Sequence, residues 1–251
     1  MAGKDMAEKD MSAHWTAYPT ADEAAQACSR HILALLETAL SGEGDATLAL
    51  SGGTTPKLLF AHLATAKFDW SHVHLFWVDE RAVAPTDPQS NYKLADENLI
   101  VPARIPHKNV HRIASELPPE KAAKRYAQEI TEFFALDEDE LPHFDVAHFG
   151  TGPDAHTASL FPGEPLIDNR DGIAAAVFVE KIRQWRITLL PGALLAARHS
   201  VFLAAGEDKA EVLRDVFLKP YDPKQFPAQM ISHHGRKVTW FLDQAAARHL
   251  D

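Results

Sequence analysis

The chain has 251 residues, 46% of them hydrophobic and 24% charged, which is typical of a globular protein with a full core. Its net charge is −10 without a basic tract, so nucleic acid is excluded as a partner, although a few Arg and Lys side chains can still converge on a small anion. No apolar run approaches the ~20 residues of a membrane helix, and one cysteine, Cys28, excludes an intrachain disulfide framework. These features favour a cytoplasmic protein with no membrane contact.

Residues 1–15 are predicted to form a flexible lead-in, and residues 16–251 a single domain. The lead-in lacks the apolar core of a signal peptide. Met1, Met6 and Met11 recur within it, so the natural start is open between them. No linker-like stretch or further repeat interrupts the remaining chain, which favours one domain.

The apolar pattern predicts strands that alternate with helices. Helices are predicted over 21–40, 56–64 (with Thr55 as N-cap), 91–99, 119–134 and 208–217, with a short one at the C-terminus. Strands are predicted over 45–50, 73–78, 110–113, 144–149, 174–179, 186–190, 200–205 and 238–242. This order is typical of an α/β fold with a doubly wound, mostly parallel sheet and helices on both faces.

Four predicted strands end in polar or glycine-rich segments. These are Ser51-Gly-Gly, Asp79-Glu-Arg81, Gly150-Thr-Gly-Pro-Asp-Ala-His156 and Gly206-Glu-Asp-Lys209. In open α/β sheets, ligands bind beyond the carboxyl ends of the strands. We therefore predict that these segments share one site.

Three of the segments suit an anion, although each has a plainer explanation. Gly52 and Gly53 let the backbone approach a phosphate, or form only a tight turn. Arg81 can hold a phosphate through two N–H groups, or pair with a nearby carboxylate. Lys209 lies at a helix start, where its charge opposes the helix dipole. A bound anion would explain a lysine there, but taken alone it can equally be a solvated side chain.

His156 closes the glycine-rich segment directly after a predicted strand. An imidazole can take a proton from water near neutral pH, although most of the 14 histidines must have structural or surface roles. The histidines form no recognisable metal motif, so no metal is expected. Ser159 lies outside any nucleophile-elbow pattern and is interpreted as structural.

The ordered motifs resemble those of the 6-phosphogluconolactonase family from about Thr20 to the C-terminus. They are Ser51-Gly-Gly-Thr-Thr-Pro56, Val78-Asp-Glu-Arg81, Gln89-Ser-Asn-Tyr92, residues 150–163 with His156-Thr-Ala-Ser-Leu-Phe-Pro162, Arg186-Ile-Thr188, Gly206-x-x-Lys209 and Trp240-Phe-Leu-Asp243. The resemblance implies a fold shared with glucosamine-6-phosphate deaminases and ribose-5-phosphate isomerases. It also implies hydrolysis of a phosphorylated sugar lactone, 6-phosphogluconolactone, in the pentose phosphate pathway, with no cofactor. We expect a monomer or weak homodimer.

The resemblance also implies roles for individual residues. His156 would be the general base, and Asp154 would position it or the substrate. Arg81 and Lys209 would hold the phosphate with the backbone at Gly52 and Gly53, and further substrate contacts would come from Asp79, Asn91 and Arg186.

Two residues depart from the family pattern beside the expected base. Thr151 replaces a common methionine, and Ala155 replaces a common glycine. An alanine forced to positive φ would carry roughly 1 kcal/mol of strain. We expect instead that the backbone at Ala155 tolerates a side chain.

Two other functions compete with the lactonase. A deaminase or isomerase for glucosamine 6-phosphate would have His-Ile-Ala-Phe-Asn-Glu-Pro in place of His156-Thr-Ala-Ser-Leu-Phe-Pro162, and the acidic residue is missing here. A non-catalytic sugar-phosphate sensor would not need His156, Arg81 and Lys209 together. The lactonase is therefore preferred.

Overall fold

The computed structural model describes residues 14–42 and 44–250, and its central element there is a six-stranded parallel sheet. The strand order is β1-β9-β8-β5-β2-β3, and a second, antiparallel sheet has the order β4-β7-β6. The strands are β1 (His14–Tyr18), β2 (Ala46–Leu50), β3 (Val73–Trp77), β4 (Asp79–Arg81), β5 (Val146–Phe149), β6 (Ala174–Val179), β7 (Gln184–Leu189), β8 (His199–Ala204) and β9 (Thr239–Asp243).

Helices connect most of these strands. They are α1 (Ala21–Leu40), α2 (Thr54–Thr65), α3 (Asn91–Ala95), α4 (Val101–Ala103), α5 (Pro119–Phe134), α6 (Pro191–Ala196), α7 (Ala210–Leu218), α8 (Pro227–His234) and α9 (Gln244–Ala247). A π-helical turn, Asp96–Ile100, joins α3 to α4. None of the helices in the described residues is long and apolar enough to cross a membrane.

Helices cover both faces of the parallel sheet, as neighbouring residues of β9 show. Trp240 packs against Phe217 of α7, whereas Phe241 packs against His31 of α1. Because successive strand residues point to opposite faces, α1 and α7 lie on opposite sides. The predicted doubly wound, mostly parallel α/β fold is confirmed.

The outer edge of β3 is covered by groups from the following segments. The Asn109 side chain donates a hydrogen bond to the carbonyl of Val73 (3.2 Å), and the His111 backbone N–H donates to Leu75 (2.9 Å). The Tyr126 hydroxyl both donates to the carbonyl of Trp77 and accepts from its N–H, at 2.8 Å each. The free backbone groups along this edge are thereby satisfied within the chain.

Several sequence predictions match the structure closely, and others need correction. The helices predicted over 21–40 and 119–134 have the same bounds in the structure. The strand predicted over 110–113 is only an isolated bridge, because Val110 alone pairs with Leu75. Gly53 rather than Thr55 is the N-cap of α2.

The predicted lead-in overlaps the structure at its end. His14 and Trp15 belong to β1, which the sequence analysis did not predict, and residues 1–13 lie outside the described residues. The three candidate start methionines fall there as well. Strands at β6 and β7 were predicted, but β4, the antiparallel pairing of the three strands, α6 and α8 were not.

Candidate active site

A cavity of about 400 Å³ lies at the carboxyl edge of the parallel sheet, where β2, β5 and β8 end. Its lining consists of Ser51, Gly52, Gly53, Thr54, Thr55, Pro56, Asp79, Arg81, Gly150, Thr151, Gly152, Pro153, His156, Ala158, Leu203, Ala204, Ala205, Asp208 and Lys209. All four polar strand ends singled out in the sequence therefore meet here, because the carboxyl ends of parallel strands lie at one edge.

Six of the nine predicted site residues line the cavity, and the other three contact or pair with those six. The six are Gly52, Gly53, Asp79, Arg81, His156 and Lys209. Asp154 hydrogen-bonds to His156, Asn91 hydrogen-bonds to Asp79, and Arg186 is opposite Arg81 in the β4–β7 register.

The His156 ring is held on three sides. Its Nδ1 lies 2.6 Å from Oδ1 of Asp154, and one ring face stacks on Phe161 with centroids 4.2 Å apart. The ring also lies against Gly152, where an added Cβ would come within 2.0 Å of Nδ1. An ionised Asp154 requires a proton on Nδ1, so Nε2 carries the lone pair; no group in the described part of the chain hydrogen-bonds to it.

Hydrogen bonds from His156 and Lys181 stabilise the ionised form of the Asp154 carboxyl group. Burial alone raises the pKa of Asp154, but hydrogen bonds from His156 and Lys181 outweigh it and hold that pKa well below its usual range. Lys181 Nζ lies 2.6 Å from Oδ2, the oxygen that does not face His156. Lys181 was not identified from the sequence, since it lies 27 residues from Asp154 in a separate hairpin.

The segment of residues 150–163, which we call the site loop, contains two alanines with left-handed backbone. Ala155 has φ of 63° and Ala158 has φ of 49°. The expectation that the backbone tolerates a side chain at Ala155 without strain is therefore wrong. The two residues flank His156 and Thr157, so the strain of roughly 1–2 kcal/mol per residue lies where the ring is oriented.

Asp79 forms a buried network below the glycine turn. Its Oδ2 accepts a 2.6 Å hydrogen bond from Ser159, which gives this serine a structural contact. Asn91 donates to the Asp79 carbonyl and to its Oδ1. Because a Cβ on Gly52 would meet Asn91 Oδ1 at 1.9 Å, only glycine fits there.

Two arginines stand side by side next to the cavity. Arg81 donates to the carbonyl of Gln89 at 2.5 Å, and Nε of both Arg81 and Arg186 is buried without a partner among the described residues. Burial lowers the pKa of Arg186 to about 10, Asp79 opposes that shift, and Arg81 adds to it. The Arg186 guanidinium is still charged at neutral pH, and the unpartnered Nε–H groups of both arginines are available to an anion.

The lining of the cavity contains further donors. Gly53 has φ of 121° and begins α2, whose first turn has no side-chain cap. Lys209 is largely buried, and its Nζ lies 3.0 Å from Asp208, which is exposed. A helix start, a lysine and two arginines together favour a doubly negative group such as a phosphate.

Glu80 supports the site from below and was not identified from the sequence as a functional residue. Its carboxylate accepts hydrogen bonds from the backbone N–H groups of Arg81, Asn91 and Tyr92 and from the Ser90 hydroxyl. Burial raises the pKa of Glu80, and these N–H groups oppose the rise. The bonds tie β4 to the start of α3 and so fix Arg81 and Asn91 together. Across residues 14–42 and 44–250, no three His, Cys, Asp or Glu side chains are grouped to share a metal ion.

Fold and site together define an α/β protein with an imidazole, His156, in the same cavity as the cationic side chains of Arg81 and Lys209. The model of one family, glucosamine-6-phosphate isomerases/6-phosphogluconolactonase, matches residues 19–240. The chain belongs to this family.

Named relatives agree with this assignment. The chain is 37% identical to the 6-phosphogluconolactonase of Synechocystis sp. over 84% of its own length and 88% of the relative's. It is 38% identical to the human 6-phosphogluconolactonase, with 80% and 79% covered. The solved 6-phosphogluconolactonase of Trypanosoma brucei superposes with a TM-score of 0.82 at 27% identity, covering 95% of this chain and 98% of that one.

These matches confirm the family resemblance drawn from the motifs. They also confirm the predicted enzyme class, a carboxylic ester hydrolase. The matches do not assign roles to individual residues, so the proposed roles are argued from the geometry of the site.

Proposed function

We propose that the protein hydrolyses 6-phospho-D-glucono-1,5-lactone to 6-phosphogluconate. The observation that carries the proposal is the free Nε2 of His156 in the same 400 Å³ cavity as Arg81 and Lys209. A base and an anion site in one small cavity suit a substrate with a reactive carbonyl at one end and a phosphate at the other.

The phosphate is assigned to the cationic side of the cavity. Arg81 and Lys209 bind it directly, with the backbone N–H groups around Gly52 and Gly53. Arg186 adds positive charge beside Arg81. Asp79 contacts the sugar hydroxyls, and Asn91 holds Asp79 and the glycine turn in place.

His156 acts as the general base at the other end of the substrate. Nε2 takes a proton from water as the water oxygen attacks C1 of the lactone, giving a tetrahedral intermediate. The C1–O5 bond then breaks, and the imidazolium returns its proton to O5. Asp154 keeps the proton on Nδ1 and stabilises the imidazolium. A lactone is already an activated ester, so no covalent nucleophile is needed, in line with the structural contact of Ser159.

The reaction would be the second step of the oxidative pentose phosphate pathway in carbohydrate metabolism. The assignment to this pathway follows from the proposed activity, and the cytoplasmic location is predicted from the composition of the chain. A monomer or weak homodimer stays a prediction from the sequence.

The test is an assay on freshly made 6-phosphogluconolactone, with acid release followed against spontaneous hydrolysis. We expect clear acceleration by the wild type, a loss of about 10²–10⁴-fold in His156→Ala, and no loss in His72→Ala. His72 is the matched control because it also pairs with an aspartate, Asp45, at 2.7 Å, but far from the cavity.

Each alternative function has its own outcome in this assay. A wild-type rate equal to spontaneous hydrolysis contradicts the proposal. Ammonia release from glucosamine 6-phosphate would instead favour a deaminase, and tight lactone binding without turnover would favour a sensor. Full activity of His156→Ala would contradict only the role of His156.

A further inference from the structure

The hairpin formed by β6 and β7 contacts the site loop through an apolar cluster. Val177 and Val179 are buried together with Phe161. Alternate residues of a strand share one face, so both valines of β6 point towards Phe161. Phe161 in turn stacks on His156 with an interplanar angle of 21°. The hairpin therefore sets the plane of the imidazole.

The same hairpin also contacts the site loop through a polar chain. Lys181 lies in the turn Glu180–Ile182 that directly follows β6. Its Nζ is 2.6 Å from Asp154 Oδ2, and Asp154 Oδ1 is 2.6 Å from His156 Nδ1. Stacking alone leaves open a 180° flip about the Cβ–Cγ bond, which keeps the ring plane but exchanges Nδ1 with Cδ2. The chain of two hydrogen bonds selects the orientation in which Nδ1 faces Asp154.

The Lys181–Asp154 pair is not explained by stability alone. The Lys181 side chain is 65% exposed, and exposed ion pairs contribute little to folding. Its position is specific, however, because Asp154 is only 18% exposed and Lys181 satisfies the one carboxylate oxygen that His156 leaves open.

We propose that Lys181 is a positioning residue, which orients the Asp154 carboxylate so that Nε2 of His156 faces the cavity. This inference deepens the proposed function and rests on it for its kinetic consequence. Lys181 does not touch the substrate in this scheme, so its loss should affect the chemical step and leave substrate binding intact.

The kinetic test compares three variants on the lactone. Lys181→Met should lower kcat about five-fold with KM within about two-fold, because the ring is less well oriented. Lys181→Arg should restore most of kcat, since a guanidinium can reach the same oxygen. Lys224→Met is the matched control, since Lys224 is also an exposed lysine, 66% accessible, paired with an aspartate at 2.7 Å.

Three kinetic outcomes would overturn the inference. They are an unchanged kcat in Lys181→Met, a rise in KM alone, and an equal loss in Lys181→Arg. The second would make Lys181 a substrate ligand, and the third would mean that the charge does not act through Asp154.

A spectroscopic test does not depend on the activity. The Nδ1 proton of His156, hydrogen-bonded to Asp154, should give a low-field proton resonance that is absent in His156→Gln. We expect this signal to shift or broaden in Lys181→Met and to persist in Lys181→Arg and Lys224→Met. An unchanged signal in Lys181→Met overturns the inference even if the wild type hydrolyses the lactone. A wild type that fails on the lactone ends the proposed function but leaves this reading of Lys181 testable.

Discussion

The parallel sheet has one cavity at the amino ends of its strands and another at their carboxyl ends. The larger of these two cavities is not the candidate site. At the amino edge, where the strands begin, a cavity of about 660 Å³ is bordered by Asp45, Asp145 and Arg198. Its charges are satisfied within the protein: Asp145 accepts two 2.9 Å hydrogen bonds from Thr47 and pairs with Arg198 at 3.4 Å. Asp45 pairs with two histidines, His72 and His74.

The smaller cavity at the carboxyl edge, of about 400 Å³, keeps bonding capacity unused. Nε of Arg81 and of Arg186 has no partner among the described residues, and Nε2 of His156 is free. Unsatisfied buried donors cost free energy unless a ligand meets them. The two cavities therefore differ in their unused hydrogen-bonding groups, and these groups rather than volume favour the smaller cavity as the site.

Among variants that keep the His156 side chain, the largest expected effect comes from displacing its ring. Gly152→Ala would place a Cβ 2.0 Å from the His156 ring, which must then move. We expect a loss of about 100-fold in kcat/KM, as for a displacement of about 1 Å. Gly42→Ala is the control, because Gly42 does not line the cavity and its added Cβ would lie 3.4 Å from its nearest contact, the Ala39 carbonyl oxygen. Equal activities of the two variants would contradict the ring geometry.

Each of the two cavities is lined by an arginine, so the effect of removing that arginine can be compared directly. Arg81→Ala should raise KM for the lactone about 10–100-fold, the effect of losing one charged hydrogen bond or ion contact of about 1.5–3 kcal/mol. Arg198→Ala removes an equally charged side chain from the amino edge, where it is already paired with Asp145. Steady-state kinetics should find it close to wild type, and similar losses would remove the distinction between the edges.

His148, a buried histidine in β5, should make the free energy of unfolding sensitive to acid. Burial lowers the pKa of His148 to about 3. Between that value and about 6.5, the unfolded chain binds a proton that the folded chain does not, so stability falls as the pH falls. From pH 7.5 to 5 the loss should be about 2 kcal/mol.

Urea unfolding of His148→Leu at the two pH values tests this effect. The variant should lose about 2 kcal/mol less than the wild type over this interval. The difference between the pH values is the readout, so any uniform change in stability cancels. Parallel losses in the two proteins would show that His148 is not the sensitive group.

The smallest expected effect concerns backbone strain in the site loop. It is tested by comparing Ala155 with Ala147, which lies in the preceding strand, β5. Ala147 in β5 and Ala155 are both buried, but only Ala155 has left-handed backbone. Ala147→Gly should lose about 1–2 kcal/mol through a buried methyl group and added freedom in the unfolded chain. Ala155→Gly should lose about 1 kcal/mol less, because it relieves strain. Equal losses in chemical denaturation would mean that Ala155 is unstrained.

The sequence was informative where local signals were strong. The helix α1 begins with a capping box between Thr20 and Glu23, and α5 begins with Pro119, so the start of each periodic pattern was marked in the sequence. The site loop was found because a histidine follows a glycine-rich turn at a strand end. By contrast, β4 has only three residues, too few for a periodic signal, so its antiparallel pairing with β7 was missed although strands at β6 and β7 were predicted.

The remaining features depend on tertiary placement. Lys181 reaches Asp154 only because the β6–β7 hairpin folds over the site loop. The left-handed backbone at Ala155 is imposed by its surroundings, since its N–H bonds to Gly152 and its carbonyl to the N–H of Ala228. An alanine in a sequence carries no mark of such a conformation.

The covered edge of β3 has a consequence for association. An exposed edge strand offers a template on which another chain can add a strand, and this is a common route to aggregation. Here the carbonyls of Val73, Leu75 and Trp77 are already occupied by Asn109, His111 and Tyr126. The sheet is therefore closed to extension on this side. Copies of the chain that meet at this edge must do so through side chains, and Tyr126→Phe would open the last of these positions to a neighbouring strand.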